Sequence, residues 1–338
     1  MADTPLGFFY RETPWRFQAE WADGAWTEGE LTSESTITID EGATCLHYAQ
    51  QCFEGLKSYA GPDGAPLLFR VDQNAARLRR SAERLLMPPP PEELFLRGVQ
   101  ACVHANRHLL PAADEGGALY VRPLLIGVGP NLGLRPAPRY VFRVFCSPVG
   151  PYFSDGLKGI KLLVTEQDRV APRGMGSYKA GGNYAGGLML TANAKAQGHT
   201  EVLYLDPREH RLLDEAGSAN VFGIRDGNTL VTPGSASILP SITMDSLLQL
   251  ARDRGLDVQR RDVPVEELAD FEEMGCTGTA AVITPVAQVT HGERVYRFAA
   301  PGAHTKALYD ALTQIQYGLR EDPHGWVTPV TAAQAAGA

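Results

Sequence analysis

The residues of this chain with the greatest chemical potential lie in Gly174-Met175-Gly176-Ser177-Tyr178-Lys179-Ala180-Gly181-Gly182-Asn183-Tyr184. A lysine among glycines, in a loop ahead of an apolar helix, can be held against a flat ligand because the nearby backbone carries no side chains to obstruct it. An amine stripped of solvent and pressed by other cations holds its proton less tightly, which is what capture of a carbonyl as a Schiff base requires. By itself the segment is better read as an ordinary solvated loop lysine. Glycine-rich loops also cradle phosphates, yet neither G-x-x-x-x-G-K-[ST] nor G-x-G-x-x-G occurs around Lys179, so nucleotide binding is not expected.

Three further stretches could join it. In Leu213-Asp214-Glu215-Ala216-Gly217-Ser218-Ala219-Asn220 a carboxylate precedes small residues and an apolar run. It could keep a ring nitrogen protonated, although in isolation it is better read as a surface-turn acid. Ile238-Leu239-Pro240-Ser241-Ile242-Thr243-Met244 reads as a loop entering a helix with Ser241 or Thr243 as cap, and helix N-termini bind phosphate through free N–H groups. Thr277-Gly278-Thr279-Ala280-Ala281 offers small residues whose N–H groups could form an anion nest or an ordinary strand-to-turn junction.

The elements that must position these residues are legible in outline. Strands are expected at 35–39, 67–71, 118–126, 139–146, 160–165 and 201–205, where β-branched and aromatic residues crowd. Helices are expected at 75–87, stopped by Pro88 to Pro91, at 184–197, closed by Gly198, and at 244–254, closed by Gly255. Strands and helices mix without a βαβ rhythm, which predicts α+β rather than a doubly wound parallel sheet. The Pro- and Gly-dense segment near the middle is read as an interdomain linker over 147–158. It separates an N-terminal α/β domain at 1–146 from a C-terminal α/β domain at 159–338 that carries Lys179. The alanine-rich end from Thr331 lacks an anchoring pattern and is expected to be loose.

Composition narrows the ligand. The 338 residues carry 31 basic and 39 acidic side chains, a formal charge of −8, which disfavours nucleic acid and anionic membrane surfaces and leaves small metabolites. No apolar run reaches the roughly 18–20 residues of a membrane span and the N-terminus lacks a basic segment with an apolar core, so a cytoplasmic location is expected. The five scattered cysteines form no C-x-x-C, so no metal site is expected and they read as reduced, mostly buried residues.

Taken together, these stretches resemble the branched-chain amino-acid aminotransferases, pyridoxal-phosphate enzymes of fold type IV, from about Ile37 to Trp326. The resemblance is carried by Leu46-His47-Tyr48 with Phe53-Glu54-Gly55-Leu56-Lys57, by Tyr120-Val121-Arg122-Pro123, and by Ser147-Pro148-Val149-Gly150-Pro151-Tyr152. Lys179-Ala180-Gly181-Gly182-Asn183-Tyr184, Glu215-Ala216-Gly217-Ser218-Ala219-Asn220 and Gly278-Thr279-Ala280-Ala281 complete it. It implies a two-domain fold type IV architecture and pyridoxal 5'-phosphate as cofactor, bound by Lys179, which also shuttles the substrate Cα proton. Glu215 is implied to pair with the pyridine nitrogen, Tyr184 with the phenolic oxygen, and Arg77, Ile242, Thr243 and Thr279 with the phosphate. Among Arg79, Arg80 and Arg84, Arg77 looks otherwise like part of a solvated face. The implied substrate pocket comprises Tyr48, Phe53, Tyr120, Arg122, Tyr184, Thr279 and Ala280, aromatic walls for an aliphatic side chain and Arg122 for the distal carboxylate of glutamate.

The implied reaction is transamination of leucine, isoleucine and valine with 2-oxoglutarate, and its reverse. Alternatives are the related D-amino-acid aminotransferases and aminodeoxychorismate lyases, or a non-catalytic relic. The resemblance also implies a homodimer with active sites at the interface, Tyr48 and Phe53 reaching the pocket around the partner's Lys179. Three departures stand out. The F-T-D-H-M stretch is replaced by Phe8-Phe9-Tyr10-Arg11-Glu12-Thr13-Pro14-Trp15, L-P-G-[IV]-T-R reads Leu239-Pro240-Ser241-Ile242-Thr243-Met244, and Ala281-Val282-Ile283-Thr284 stands in place of a redox C-x-x-C, which excludes thiol regulation there.

Overall fold

A computed structural model describes residues 6–150 and 157–331, so residues 151–156 of the expected linker and 332–338 of the alanine-rich end lie outside the description. The chain divides into two compact units. One comprises Met1–Tyr152, Tyr178–Gly182 and Gln314–Ala338, the other Phe153–Ser177 and Asn183–Thr313. The lysine loop and the C-terminal segment therefore group with the first unit, where a single cut at 147–158 puts them in the second.

The first unit is built on a nine-stranded antiparallel sheet. Its central pair, Ala118–Gly127 and Tyr140–Val149, stays in register over ten residues, and Leu56–Ala60 and Phe53 of Gln51–Phe53 pair onto the former. The strand Tyr140–Val149 runs through the first three residues of the expected linker, because Ser147 to Val149 find ladder partners in Tyr120 to Ala118. Val71, Ala75, Leu78 and Ala82 recur at helical spacing, and Val71–Arg84 buries that stripe beside Glu92–Ala105, which contributes Phe95, Val99 and Val103 to the same core. The helix begins four residues before the expected start and ends at Arg84. A left-handed Leu86 (φ 52°) then turns the chain into the prolines.

No strand forms at 35–39. Ile37 and Ile39 still pack against Ile126, Val128 and Val141, but the carbonyls of Glu34 and Thr36 accept hydrogen bonds from Arg143 rather than from a neighbouring strand. The apolar alternation is thus satisfied by packing while a side chain takes the ladder's place.

The second unit holds a mixed nine-stranded sheet. Ile160–Thr165 lies parallel to both Glu201–Leu205 and Val282–His291, while Glu273–Gly278 is antiparallel to Asn220–Arg225 and to Val282–His291. This mixture fits the expected α+β class. The helix expected at 184–197 is interrupted: Gly182–Ala185 and Leu188–Ala196 are separate, with Gly186-Gly187 between them. Ile242–Asp253 starts two residues early, and Ser241, not Thr243, is its cap, its hydroxyl accepting from the Met244 N–H at 3.1 Å. Four of the cysteines are buried and all five are free. No described helix is long and apolar enough to cross a membrane, and no metal-holding cluster occurs among the described residues.

Candidate active site

In the first unit, Lys179 is fixed through its backbone. Its N–H donates to the Ser81 hydroxyl at 3.0 Å, its carbonyl accepts from the Phe53 N–H at 3.2 Å, and Gly181 N–H donates to the Gln51 carbonyl. The loop is thereby tied to the end of Gln51–Phe53, and the Lys179 amine lies 4.9 Å from the centre of the Phe53 ring. Burial first, then the charge of Arg77, lowers its pKa to about 8, with Arg122 adding and Glu54 and Tyr120 opposing. The neutral fraction near neutrality is thus far larger than for an ordinary lysine, as a nucleophilic amine needs.

Around it stand the predicted aromatic and basic residues. The Arg122 guanidinium sits 4.8 Å from the Phe53 ring centre and 5.2 Å from that of Tyr120, and its Nη2 donates to the Tyr120 hydroxyl at 3.0 Å. Gly55 is glycine because a Cβ there would collide with the Tyr120 hydroxyl. Arg77 is no part of a solvated face. It is 5% exposed and grips Glu54, itself fully buried, through two 2.7 Å bonds from Nε and Nη2, while Asn74 donates to the same carboxylate. Glu54 stands inside a family-like motif with no role attached to it; only the fold shows it as the counterion of this cationic cluster. Phe8 was likewise unassigned, and its ring meets Tyr120 edge-on at 5.1 Å. It belongs to the N-terminal stretch that departs from the family pattern, which left no motif by which to find it.

One expectation is corrected. Phe53 lies beside Lys179 of its own chain, so it is not a residue lent to a partner's lysine. Tyr48 stands apart at the end of Thr44–His47, 43% exposed, its hydroxyl donating to the carbonyl of Leu132, a residue that is 90% exposed.

In the second unit the centre is Glu215, on the short buried strand Leu213–Ala216. Its Oε1 lies 2.7 Å from Arg169 Nη2 and accepts from the Leu239 N–H at 3.3 Å, while Oε2 accepts from Asn220 Nδ2 at 2.9 Å. Asn220 also donates to the Leu239 carbonyl, which ties the loop leading into Ile242–Asp253 to the carboxylate. Ile242 and Thr243 open that helix, where backbone N–H groups lack helical acceptors. Thr279 and Ala280 occupy the turn between Glu273–Gly278 and Val282–His291, held by the Thr277 hydroxyl donating to the Val282 carbonyl at 2.7 Å. Tyr184 is half-buried in Gly182–Ala185. Arg169 and Asn220 as direct partners of Glu215 were not predicted; a lone arginine ten residues before the lysine carries no local signal.

Taken unit by unit, the desolvated amine of the first suits capture of a carbonyl, while the donor-held carboxylate and the capped helix entry of the second suit a ring nitrogen and a phosphate, the groups that an aldehyde-bearing, phosphorylated pyridine presents. Residues 51–289 match the family described as amino-transferase class IV. The chain belongs to this family, and pyridoxal 5'-phosphate is its cofactor. Among curated relatives it is 47% identical to the branched-chain-amino-acid aminotransferase of Helicobacter pylori, over 96% of each chain, and 48% identical to that of Haemophilus influenzae, over 96% of this chain and 97% of the relative. The branched-chain amino acid aminotransferase of Escherichia coli superposes with a TM-score of 0.80 at 26% identity, covering 95% of this chain and all of that one.

Proposed function

We propose that this chain transfers the amino group between branched-chain L-amino acids, leucine, isoleucine and valine, and 2-oxoglutarate, giving branched-chain 2-oxo acids and L-glutamate, and the reverse. The observation that carries the reading is Lys179 over the Phe53 ring with Arg122 stacked on Phe53 and bonded to Tyr120. It joins a nucleophilic amine, apolar aromatic surface and a cation suited to a second carboxylate. Relatives point the same way: a branched-chain amino acid aminotransferase 25–26% identical to this chain has been solved with N-(5'-phosphopyridoxyl)-L-glutamate and with 4-methylvaleric acid.

The cofactor, when bound, supplies an electron sink for the charge left at Cα. The chain supplies the rest. Lys179 Nζ, neutral in part because burial and Arg77 oppose its proton, removes the Cα proton of the donor amino acid and returns one to Cα of the acceptor. Glu215, held on both oxygens, stabilises a proton on the pyridine nitrogen, with Tyr184 on the phenolic oxygen. Arg77, Ile242, Thr243 and Thr279 take the phosphate. Phe53, Tyr120 and the Thr279–Ala280 turn enclose the aliphatic side chain, and Arg122 receives the distal carboxylate of glutamate.

The functional unit in this reading is a homodimer in the cytoplasm, with Tyr48 completing the partner's pocket. Support comes from the exposure of Tyr48 and Leu132 together. Mixing inactive Lys179→Ala subunits with inactive Tyr48→Ala subunits should restore part of the activity. Absence of recovery after proven subunit exchange would remove Tyr48 from a shared site. The substrate reading is tested by a panel of L- and D-amino donors with 2-oxoglutarate. Turnover of leucine, isoleucine and valine is expected, and a preference for D-amino acids would overturn it.

A further inference from the structure

The partner of Glu215 is as buried as Glu215 itself. The side chains of Arg169 and Glu215 are 10% and 8% exposed, and Arg169 Nη2 also donates to the Ser237 carbonyl at 2.5 Å. Of the two adjacent carboxylates on Leu213–Ala216, Asp214 is bonded to the Ser237 hydroxyl at 2.8 Å, which leaves Glu215 as the one ion-paired to the guanidinium. The glycine-rich loop makes room for this arrangement: a Cβ on Gly176 would strike the Ser237 carbonyl and come within 2.8 Å of Arg169 Nη2. Gly176 is thus explained first by the Ser237 carbonyl that Arg169 also bonds, and then by the guanidinium itself, not by the lysine it precedes.

We propose that Arg169 is a positioning residue that keeps Glu215 a carboxylate and thereby decides that the shared proton sits on the pyridine nitrogen of the cofactor. A carboxylate and a pyridine nitrogen facing each other share one proton, and either can hold it. A permanent cation 2.7 Å from one carboxylate oxygen lowers that group's affinity for the proton and leaves it on the ring. With Arg169 gone, Glu215 keeps the neutral donors Asn220 and Leu239 N–H but loses its ion pair, and burial then favours its protonated form. The ring loses its positive charge although Glu215 is still present. The inference rests on the reading that Glu215 pairs with the pyridine nitrogen.

The experiment is 15N NMR of the holoenzyme reconstituted with ring-labelled pyridoxal 5'-phosphate, in which a protonated and a neutral ring nitrogen resonate far apart. Wild type should show the protonated nitrogen and Glu215→Gln the neutral one. Arg169→Met should shift the signal to neutral, as should Arg169→Gln, which keeps a polar amide but lacks charge and carries the test if the Met variant does not fold. Arg169→Lys restores the charge and should restore the protonated signal, a rescue that a packing role does not produce. The neutral variants should also slow the first half-reaction about tenfold. A protonated signal in both uncharged variants, alongside a neutral one in Glu215→Gln, would overturn the role of Arg169 alone. A protonated signal in Glu215→Gln removes the assignment of Glu215, and this inference with it.

Discussion

The surroundings of Lys179 in the first unit and of Glu215 in the second are electrostatic opposites. Around Lys179 the fold combines burial with the charges of Arg77, which is paired to the buried Glu54, and of Arg122, so the amine is discouraged from carrying its proton. Around Glu215 it gathers a neighbouring Asp214 and one buried cation, Arg169, so the carboxylate is given a partner for its charge. The difference teaches that the two groups are tuned from opposite sides: burial and like charge loosen the Lys179 proton, which Glu54 only tempers, whereas Glu215 has an opposite charge, Arg169, against its own carboxylate.

The comparison is broken most severely by Lys179→Ala. Turnover should fall on the order of ten-thousand-fold, with loss of the visible absorbance of lysine-bound cofactor. Retention of that absorbance, trapped by borohydride on another lysine, would reassign the nucleophile. On the opposite side, Glu215→Gln should keep the cofactor bound and slow the proton-transfer half-reaction about 10- to 100-fold, as single-turnover kinetics will show. An unchanged rate there contradicts a role in stabilising charge on the ring.

A sharper test uses the second depressed amine. Burial lowers the pKa of Lys57 to about 8 as well, with no charged neighbour among the causes. Both lysines have folded-state values below the usual 10.5, so the unfolded chain binds more protons between pH 8 and 10.5. Stability of the apoprotein should therefore rise across that window and be penalised fully below it. Lys57→Met should stabilise the protein at neutral pH by about 2 kcal/mol, flatten part of that rise in denaturant titrations at several pH values, and leave the visible absorbance of bound cofactor intact. A depressed amine is therefore not by itself a catalytic one. The smallest effect is expected from Tyr120→Phe, which frees Arg122 Nη2 from its 3.0 Å bond. KM for glutamate should change about three- to tenfold while KM for leucine moves less; equal shifts for both would separate Arg122 from carboxylate recognition.

Much of this was legible in the residues. The glycines around Lys179 and the small residues after Glu215 marked both as candidates, which the family resemblance then singled out, and the helix entry was legible at Ser241 to Thr243, because local backbone chemistry is written in neighbouring residue types. The apolar spacing of Val71, Ala75, Leu78 and Ala82 fixed the buried face of a helix, though its start at Val71 was missed since a residue with no cap side chain, Arg70, precedes it.

What neighbours in sequence could not supply was decided by tertiary structure. Glu54 is 23 residues from Arg77 and Arg169 is 46 from Glu215, yet each pair closes at 2.7 Å. Residues 35–39 carried the alternation of a strand but met Arg143, more than 100 residues away, instead of another strand. The sequence determined which groups could do chemistry and the local backbone that presents them. Their charge states depended on desolvation and on counterions brought from distant segments, and both exist only once the chain has packed.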